Sequence, residues 1–372
     1  MREEEDEKED LLVSGKEMRE EKEEELLVVG NYCHDVLFRD GLVVGETLGG
    51  AASFISQVLE SLYLSSKTTI VAKVGPNFAY SSSPLSLLHP PVIASSSLTT
   101  LFHAHFFNDQ PDRTLRRICA CDPISPSDLP TSSLYDFGMA VGVGGETTVE
   151  TLARMLDLCD TVLVDVQALI RTFDPVDGAV QLISLSSTPF FSLISRVQFL
   201  KTSAEESRYL DIEELRRGSC VIVTDGAEGC HVYWREGEFQ VPAFRAVEVD
   251  PTGAGDSFLG GFAAGLVCGL SVRDAALLGN FFGALTVSHI GVPELDPVKL
   301  QRVKDEIEKR SARCINGCKR KEGVTDFGKS VGFEEFRAVL AEVALDISGR
   351  QNGPFNPPSQ GLELVGNLKR EW

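Results

Sequence analysis

The 372-residue chain has no long uninterrupted apolar run: its hydrophobic stretches are broken by Gly, Ser or charge before the ~20 residues a membrane span requires. A spanning helix is excluded on that ground, and no membrane partner is expected. Basic residues are also scarce, 35 Lys and Arg against 55 Asp and Glu, for a formal charge of −20. So acidic a surface repels phosphate backbones, which argues against nucleic acid as a partner. No signal-peptide-like start is present. The nine cysteines, an odd number scattered along the chain, suit reduced thiols in the cytosol or nucleus, and a cytoplasmic location is expected. Cys314 and Cys318 are spaced like half a metal site, but no second ligand pair follows them.

What is present is enough apolar material, 43% of residues, to bury a large core in one big α/β domain or two smaller ones. Residues 1–25 carry 13 acidic and 5 basic side chains and no aromatic, which predicts a disordered acidic leader. Order is expected from residue 26. The apolar run 26–30 reads as a central strand buried on both faces. From residue 137 strand-like and helical segments alternate, at 137–141, 147–159, 161–164, 197–200 and 220–224, the order of βαβ units and a mainly parallel sheet. Period-two segments at 41–48 and 98–119 read as short strands of another kind. In the second of these, His103 and His105 share one face, an arrangement that suits packing better than metal binding. A domain over 26–310 is therefore expected, followed by an extension over 311–372. That extension holds one amphipathic helix near 333–345 and a loosely ordered Gly/Pro/Asn-rich tail.

The chain is organised around Asp250, Pro251, Thr252, Gly253, Ala254, Gly255, Asp256 and Ser257. This glycine-rich turn opens directly into an apolar helix in which Phe258, Phe262, Leu266 and Leu270 recur every fourth residue. Gly261 and Gly265 leave that helix a flat side for a close neighbour. The backbone N–H groups of Gly253, Ala254 and Gly255 would then lie at a helix N-terminus, where free donors and the helix dipole favour an anion. Asp256 would put a fixed negative charge beside that anion. A carboxylate there is explained if it takes a proton from a hydroxyl attacking a bound phosphate; favourable interaction with the helix dipole is the plainer alternative.

This stretch resembles the second signature of the ribokinase-like (pfkB) carbohydrate kinases, although Pro251 stands where that family usually has Thr or Ser. The resemblance implies a ribokinase-like three-layer α/β fold, a mainly parallel central sheet flanked by helices, with a small β lid formed by the strands near 41–48 and 98–119. It implies that Gly253, Ala254 and Gly255 form the anion hole and that Asp256 is the catalytic base. Gly49 and Gly50 are similar to the first signature, in which paired glycines let the backbone approach the substrate. Asp35, with Asn31 beside it in a loop after the first strand, matches the acceptor of substrate hydroxyls. Glu206 matches the acid that helps hold Mg2+, with Ser203 in place of the usual Asn. Thr224, Gly226 and Gly229 resemble the nucleotide-side turn, a pattern that a hairpin explains nearly as well, and Asn280 falls where the family lines its adenine pocket.

ATP and Mg2+ are the implied cofactors, and the implied state is a monomer or a lid-mediated homodimer. The family's usual Asn is replaced at two positions, by Cys33 and Phe54, which removes polar partners suited to a furanose. A small polyol, and a cyclitol in particular, becomes the expected substrate. A kinase for another sugar or a nucleoside is the neighbouring alternative. A catalytically silent binding protein on the same fold is the alternative of another class, and retention of Asp256 argues against it. The string 323–330 satisfies the P-loop pattern Gly-x4-Gly-Lys-Ser, but the charged residues before it cannot form the buried strand such a loop must follow.

Overall fold

The computed structural model describes residues 24–106, 114–131, 134–317, 327 and 330–348. The chain begins with β1 (Leu26–Val29), β2 (Cys33–Arg39), β3 (Leu42–Gly49) and α1 (Ala51–Ser61), then β4 (Thr68–Val71), β5 (Lys73–Val74), α2 (Pro84–Leu88) and β6 (Val92–Ile93). It continues through β7 (Leu101–Phe106), β8 (Thr114–Cys119), β9 (Tyr135–Ala140), α3 (Val149–Leu158), β10 (Cys159–Asp165), α4 (Gln167–Ile170), β11 (Arg171–Phe173) and β12 (Val180–Leu182). The last part holds β13 (Phe199–Ser203), α5 (Ile212–Leu215), β14 (Cys220–Thr224), β15 (Cys230–Trp234), β16 (Gly237–Val241), α6 (Ala254–Val267), α7 (Val272–Thr286), α8 (Gln301–Gly317) and α9 (Phe333–Ser348).

Eight strands form the central sheet in the order β16-β15-β14-β13-β10-β9-β1-β4. Every pairing from β14 to β4 is parallel, and β15 and β16 add an antiparallel edge. A parallel sheet needs cover on both faces, and β1 shows how its sequence supplies this. Leu26 and Val28 enter the core shared with α1, α6 and α7, whereas Leu27 and Val29 enter the core facing α3. No helix among the described residues is long and apolar enough to cross a membrane.

A four-stranded sheet in the order β3-β2-β7-β8 stands apart as the lid. Residues 33–35, expected in a loop, instead open the lid strand β2. Their polar content misleads because the strand is covered on both faces at its start: Cys33, Asp35 and Leu37 are buried on one face and Val36 on the other, with His34 and Phe38 partly exposed. His103 and His105 pack about Phe38, at centroid distances of 4.8 and 4.5 Å. The hairpin β11–β12 docks on the lid's β8 edge through Arg117 N–H to the Gly178 carbonyl at 2.8 Å.

The glycines of α6 make the close crossing that their spacing predicts. A methyl group on Gly261 would stand 2.8 Å from the Phe282 ring, and one on Gly265 2.9 Å from Ala275 Cα, both on α7. The side chain of Ser271 caps α7 by accepting the Asp274 N–H at 3.2 Å. Helix α8 runs across residue 310, and α9 lays Phe336 and Leu340 into the same core as α6 and α7. Arg310 bonds Glu306 at 3.1 Å and the Val331 carbonyl at 3.0 Å, tying α8 to the start of α9. Of the acidic leader only Glu24 and Glu25 are described; of the P-loop-like string, only Phe327 and Ser330. The side chains of Cys314 and Cys318 lie outside the described residues.

Candidate active site

Gly253 is the N-cap of α6 and adopts the left-handed conformation, φ 76°. Glycine occupies that region without the Cβ strain of other residues. The turn is braced from within by Asp250, whose Oδ1 accepts the Thr252 N–H at 2.9 Å and the Thr252 hydroxyl at 2.5 Å. Ala254 N–H makes a long bond, 3.3 Å, to the Pro251 carbonyl. Gly255 and Asp256 lie in the first helical turn, where backbone N–H groups have no acceptor within the helix.

The Asp256 carboxylate is partly open to solvent, and its Oδ1 accepts a hydrogen bond from Gln167 Nε2 at 3.0 Å. Enclosure by protein raises its pKa above the ordinary carboxylate range, against the opposing pull of Lys201, Arg171 and the Gln167 bond. Gln167 is itself held, its N–H bonding Asp165 Oδ1 at 3.2 Å. The other Asp165 oxygen accepts from Lys201 Nζ at 2.9 Å, in an ion pair closed to solvent. Burial pushes Asp165 up, to about 6. For Lys201, burial works against the charge, but Asp165, Glu206 and Asp256 outweigh it and hold the ammonium above its usual range. The same ammonium lies against the start of α6: a methyl group on Gly255 would be 2.7 Å from Lys201 Nζ.

Glu206 is buried at the end of β13. Its Oε1 accepts from Arg171 Nη2 at 3.2 Å and its Oε2 from Ser203 N–H at 3.1 Å, while the Ser203 hydroxyl accepts the Glu206 N–H at 3.1 Å. Burial would raise its pKa, but Arg171 and Lys201 prevail and hold it below the ordinary range. A carboxylate has more lone pairs than these two bonds use, and it is the kind of oxygen donor that meets a hydrated cation through water. Thr224 closes β14 with its hydroxyl donating to the Thr202 carbonyl at 3.3 Å. Gly226 and Gly229 both take positive φ, 47° and 91°, in the turn to β15. Asn280 on α7 donates to the Val241 and Pro242 carbonyls at 2.9 and 3.2 Å. Gly229 lies against the same backbone, so Gly229 and Asn280 meet at the exit of β16, with Thr224 two strands away at the same end of the sheet.

On the lid side, Asp35 lies against Gly49, where a side chain would overlap its carboxylate. Gly50, φ 88°, is the N-cap of α1. Asn31 is buried at the end of β1, with Oδ1 accepting the Lys73 N–H at 2.7 Å and Nδ2 making no hydrogen bond among the described residues. Its own N–H goes to Glu146, which also accepts from Val143 N–H at 3.1 Å and Gly144 N–H at 2.6 Å. Burial pushes the Cys33 thiol up, and the charges of Glu146, Asp35 and Asp256 add to this.

The predicted site residues fall into a lid group, an α6 group and a β13–β14 group; Asn31, Glu206 and Thr224 lie at or just beyond the carboxyl ends of the parallel strands β1, β13 and β14. Sequence reasoning passed over Asp165, Gln167, Arg171, Lys201 and Glu146. The glycine-rich run 142–145 immediately after β9 was a usable signal for Glu146.

A left-handed glycine turn at a helix N-terminus, a carboxylate in the first turn of that helix and a second, smaller sheet stand on a three-layer α/β fold of the ribokinase type. Residues 194–298 match the pfkB family of carbohydrate kinases. The chain is 53% identical over 293 residues to the inositol 3-kinase of Arabidopsis thaliana, covering 77% of this chain and 81% of that protein. It is 52% identical over 341 residues to the inositol 3-kinase of Zea mays, covering 87% and 88% respectively. A solved pyrophosphate-dependent kinase of the ribokinase family shares the fold at a TM-score of 0.62 and 18% identity, over 73% of this chain and 98% of that one. The chain belongs to the pfkB family of carbohydrate kinases.

Proposed function

We propose that the protein phosphorylates myo-inositol with ATP, giving inositol 3-phosphate. The observation that carries this reading is the Asp256 carboxylate, anchored by Gln167 in the first turn of α6 beside the left-handed Gly253 turn. The identity of just over half to inositol 3-kinases across most of the chain supports the substrate.

In this mechanism Asp35 accepts hydrogen bonds from ring hydroxyls, and Asn31, Gly49 and Gly50 shape the pocket around them. Asp256 takes the proton from the attacking hydroxyl through the oxygen that Gln167 leaves free. The N–H groups of Gly253, Ala254 and Gly255, with Lys201 below them, stabilise charge on the phosphoryl group in transfer. Thr224, Gly226, Gly229 and Asn280 border the nucleotide. Glu206 would hold Mg2+ through water, and that ion would supply charge neutralisation between the phosphates. The described cysteines are all free, which fits a reducing compartment such as the cytoplasm.

A panel of cyclitols, sugars and nucleosides assayed for ADP release tests the substrate. We expect kcat/KM for myo-inositol to exceed that for ribose, fructose or adenosine by ~100-fold, about 2.7 kcal/mol of transition-state discrimination, with most of it lost in Asp35→Ala. Efficient use of ribose or adenosine and none of inositol would overturn the substrate and leave the kinase standing.

The pH profile tests the base. Asp256 works ionised and its pKa is raised, so activity is complete above that raised value and disappears as the pH falls through it. The acidic limb of kcat/KM should therefore lie above the ordinary carboxylate range. Gln167→Leu removes a hydrogen bond to the charged form; it should move the limb higher still and lower kcat by about 10-fold or more. A limb that stays where the wild type has it would separate Gln167 from the base.

A further inference from the structure

Where the ribokinase-like pattern carries Asn, this chain has Phe54, and its side chain does not line the lid face of the site. Phe54 is 1% exposed, in the second turn of α1, and its ring lies on Gly253, so that any side chain at 253 would overlap three ring carbons. Helix α1 is in turn seated on α6, because Gly260 leaves room for Ile55 and Val58; a methyl group at 260 would be 3.3 Å from Ile55 Cα. The same end of α1 begins four residues before Phe54, at Gly50, next to Gly49 under the Asp35 carboxylate. Six residues thus span the distance from the hydroxyl acceptor to the anion turn.

A glycine turn has more conformational freedom than any other backbone. Left uncovered, the left-handed Gly253 could relax and swing the first-turn N–H groups off target. Displacement by ~1 Å at such a site can cost about 100-fold in rate. An aromatic ring packed on the glycine removes that freedom, and a small polar side chain at the same place would not.

We propose that Phe54 is a positioning residue for phosphoryl transfer: its ring clamps Gly253 in the left-handed turn and makes α1 a rigid spacer between Asp35 and the anion hole. The inference rests on the kinase reading above. Its consequence is a separation of kinetic effects. Phe54→Ala should lower kcat by about 30-fold or more while KM for myo-inositol stays within about threefold. Phe54→Met, which restores apolar volume over the glycine, should return kcat to within about fivefold of wild type.

Truncation of a buried ring can unfold a protein, so amide exchange of folded Phe54→Leu, followed by mass spectrometry, provides a second arm. Peptides covering 250–257 should exchange faster than in the wild type, and those covering 260–267 at an unchanged rate. A rise in KM with kcat retained would make Phe54 a pocket wall instead and overturn the proposal. So would unchanged exchange at 250–257. If the wild type phosphorylates no polyol, sugar or nucleoside, the kinase reading falls, while the exchange arm still decides whether the ring restrains the turn.

Discussion

Asp256→Asn is expected to lower kcat by about 10³-fold, within the range a positioned base contributes, and to leave nucleotide affinity within about threefold. The substitution keeps the volume and planarity of the side chain, and its oxygen can still accept from Gln167, which now bonds Asp256 Oδ1 at 3.0 Å. What faces the attacking hydroxyl is then an amide donor with no capacity to take a proton. The loss corresponds to about 4 kcal/mol of transition-state stabilisation. The contacts that hold the Gly253 turn, the Asp250 bonds to Thr252 and the Phe54 ring on Gly253, do not involve the charge of residue 256. Steady-state rates and nucleotide titration on the same sample check both halves. Near-normal turnover would remove Asp256 from the chemistry, and loss of nucleotide binding would recast it as a structural residue.

The parts of this site that were legible in the sequence are the local ones. Gly253 to Asp256 are consecutive, so a turn conformation, a helix start and a carboxylate can be read from one short string. The strands β1, β14 and β15 were equally plain, because runs such as Leu26–Val29 are apolar on both faces and bounded by glycine or polar residues. The supporting residues are not local. Lys201 sits in a polar string, Lys-Thr-Ser-Ala-Glu-Glu, that reads as a loop after a strand ending at residue 200, yet the strand continues to Ser203 and buries the ammonium. Burial there is possible only because Asp165, 36 residues earlier, ends the adjacent parallel strand. Gln167 gains its meaning only when α6, 89 residues later, brings Asp256 beside it. The direction of Phe54 was likewise hidden, since helix periodicity says that a residue is buried and not which loop it is buried against. Residues 33–35 misled for the opposite reason: a lid strand covered on both faces at its start loses the apolar alternation that marks strands elsewhere.

Lys201→Met is expected to cost about 3–5 kcal/mol of stability, the range found when one partner of a buried ion pair is removed. The side chain of Asp165 is 0% exposed and that of Lys201 5%, so the substitution strands a carboxylate whose remaining bond is the Gln167 N–H at 3.2 Å. Asp165→Asn together with Lys201→Met should recover part of that loss, because the replacing amide still accepts from Gln167 through its oxygen and carries no charge that needs a partner. Activity should not follow stability. The ammonium lies below Gly255 and raises the positive potential where the phosphoryl group would sit, so the double variant should remain at least ~30-fold below wild type in kcat. Denaturant melts with a constant m-value, beside steady-state rates at a temperature where both variants are folded, separate the two effects. If the single variant is as stable as the wild type, the pair is not a buried ion pair in solution. If the double variant regains full turnover, Lys201 serves the fold alone and the charge at the phosphoryl end comes from α6.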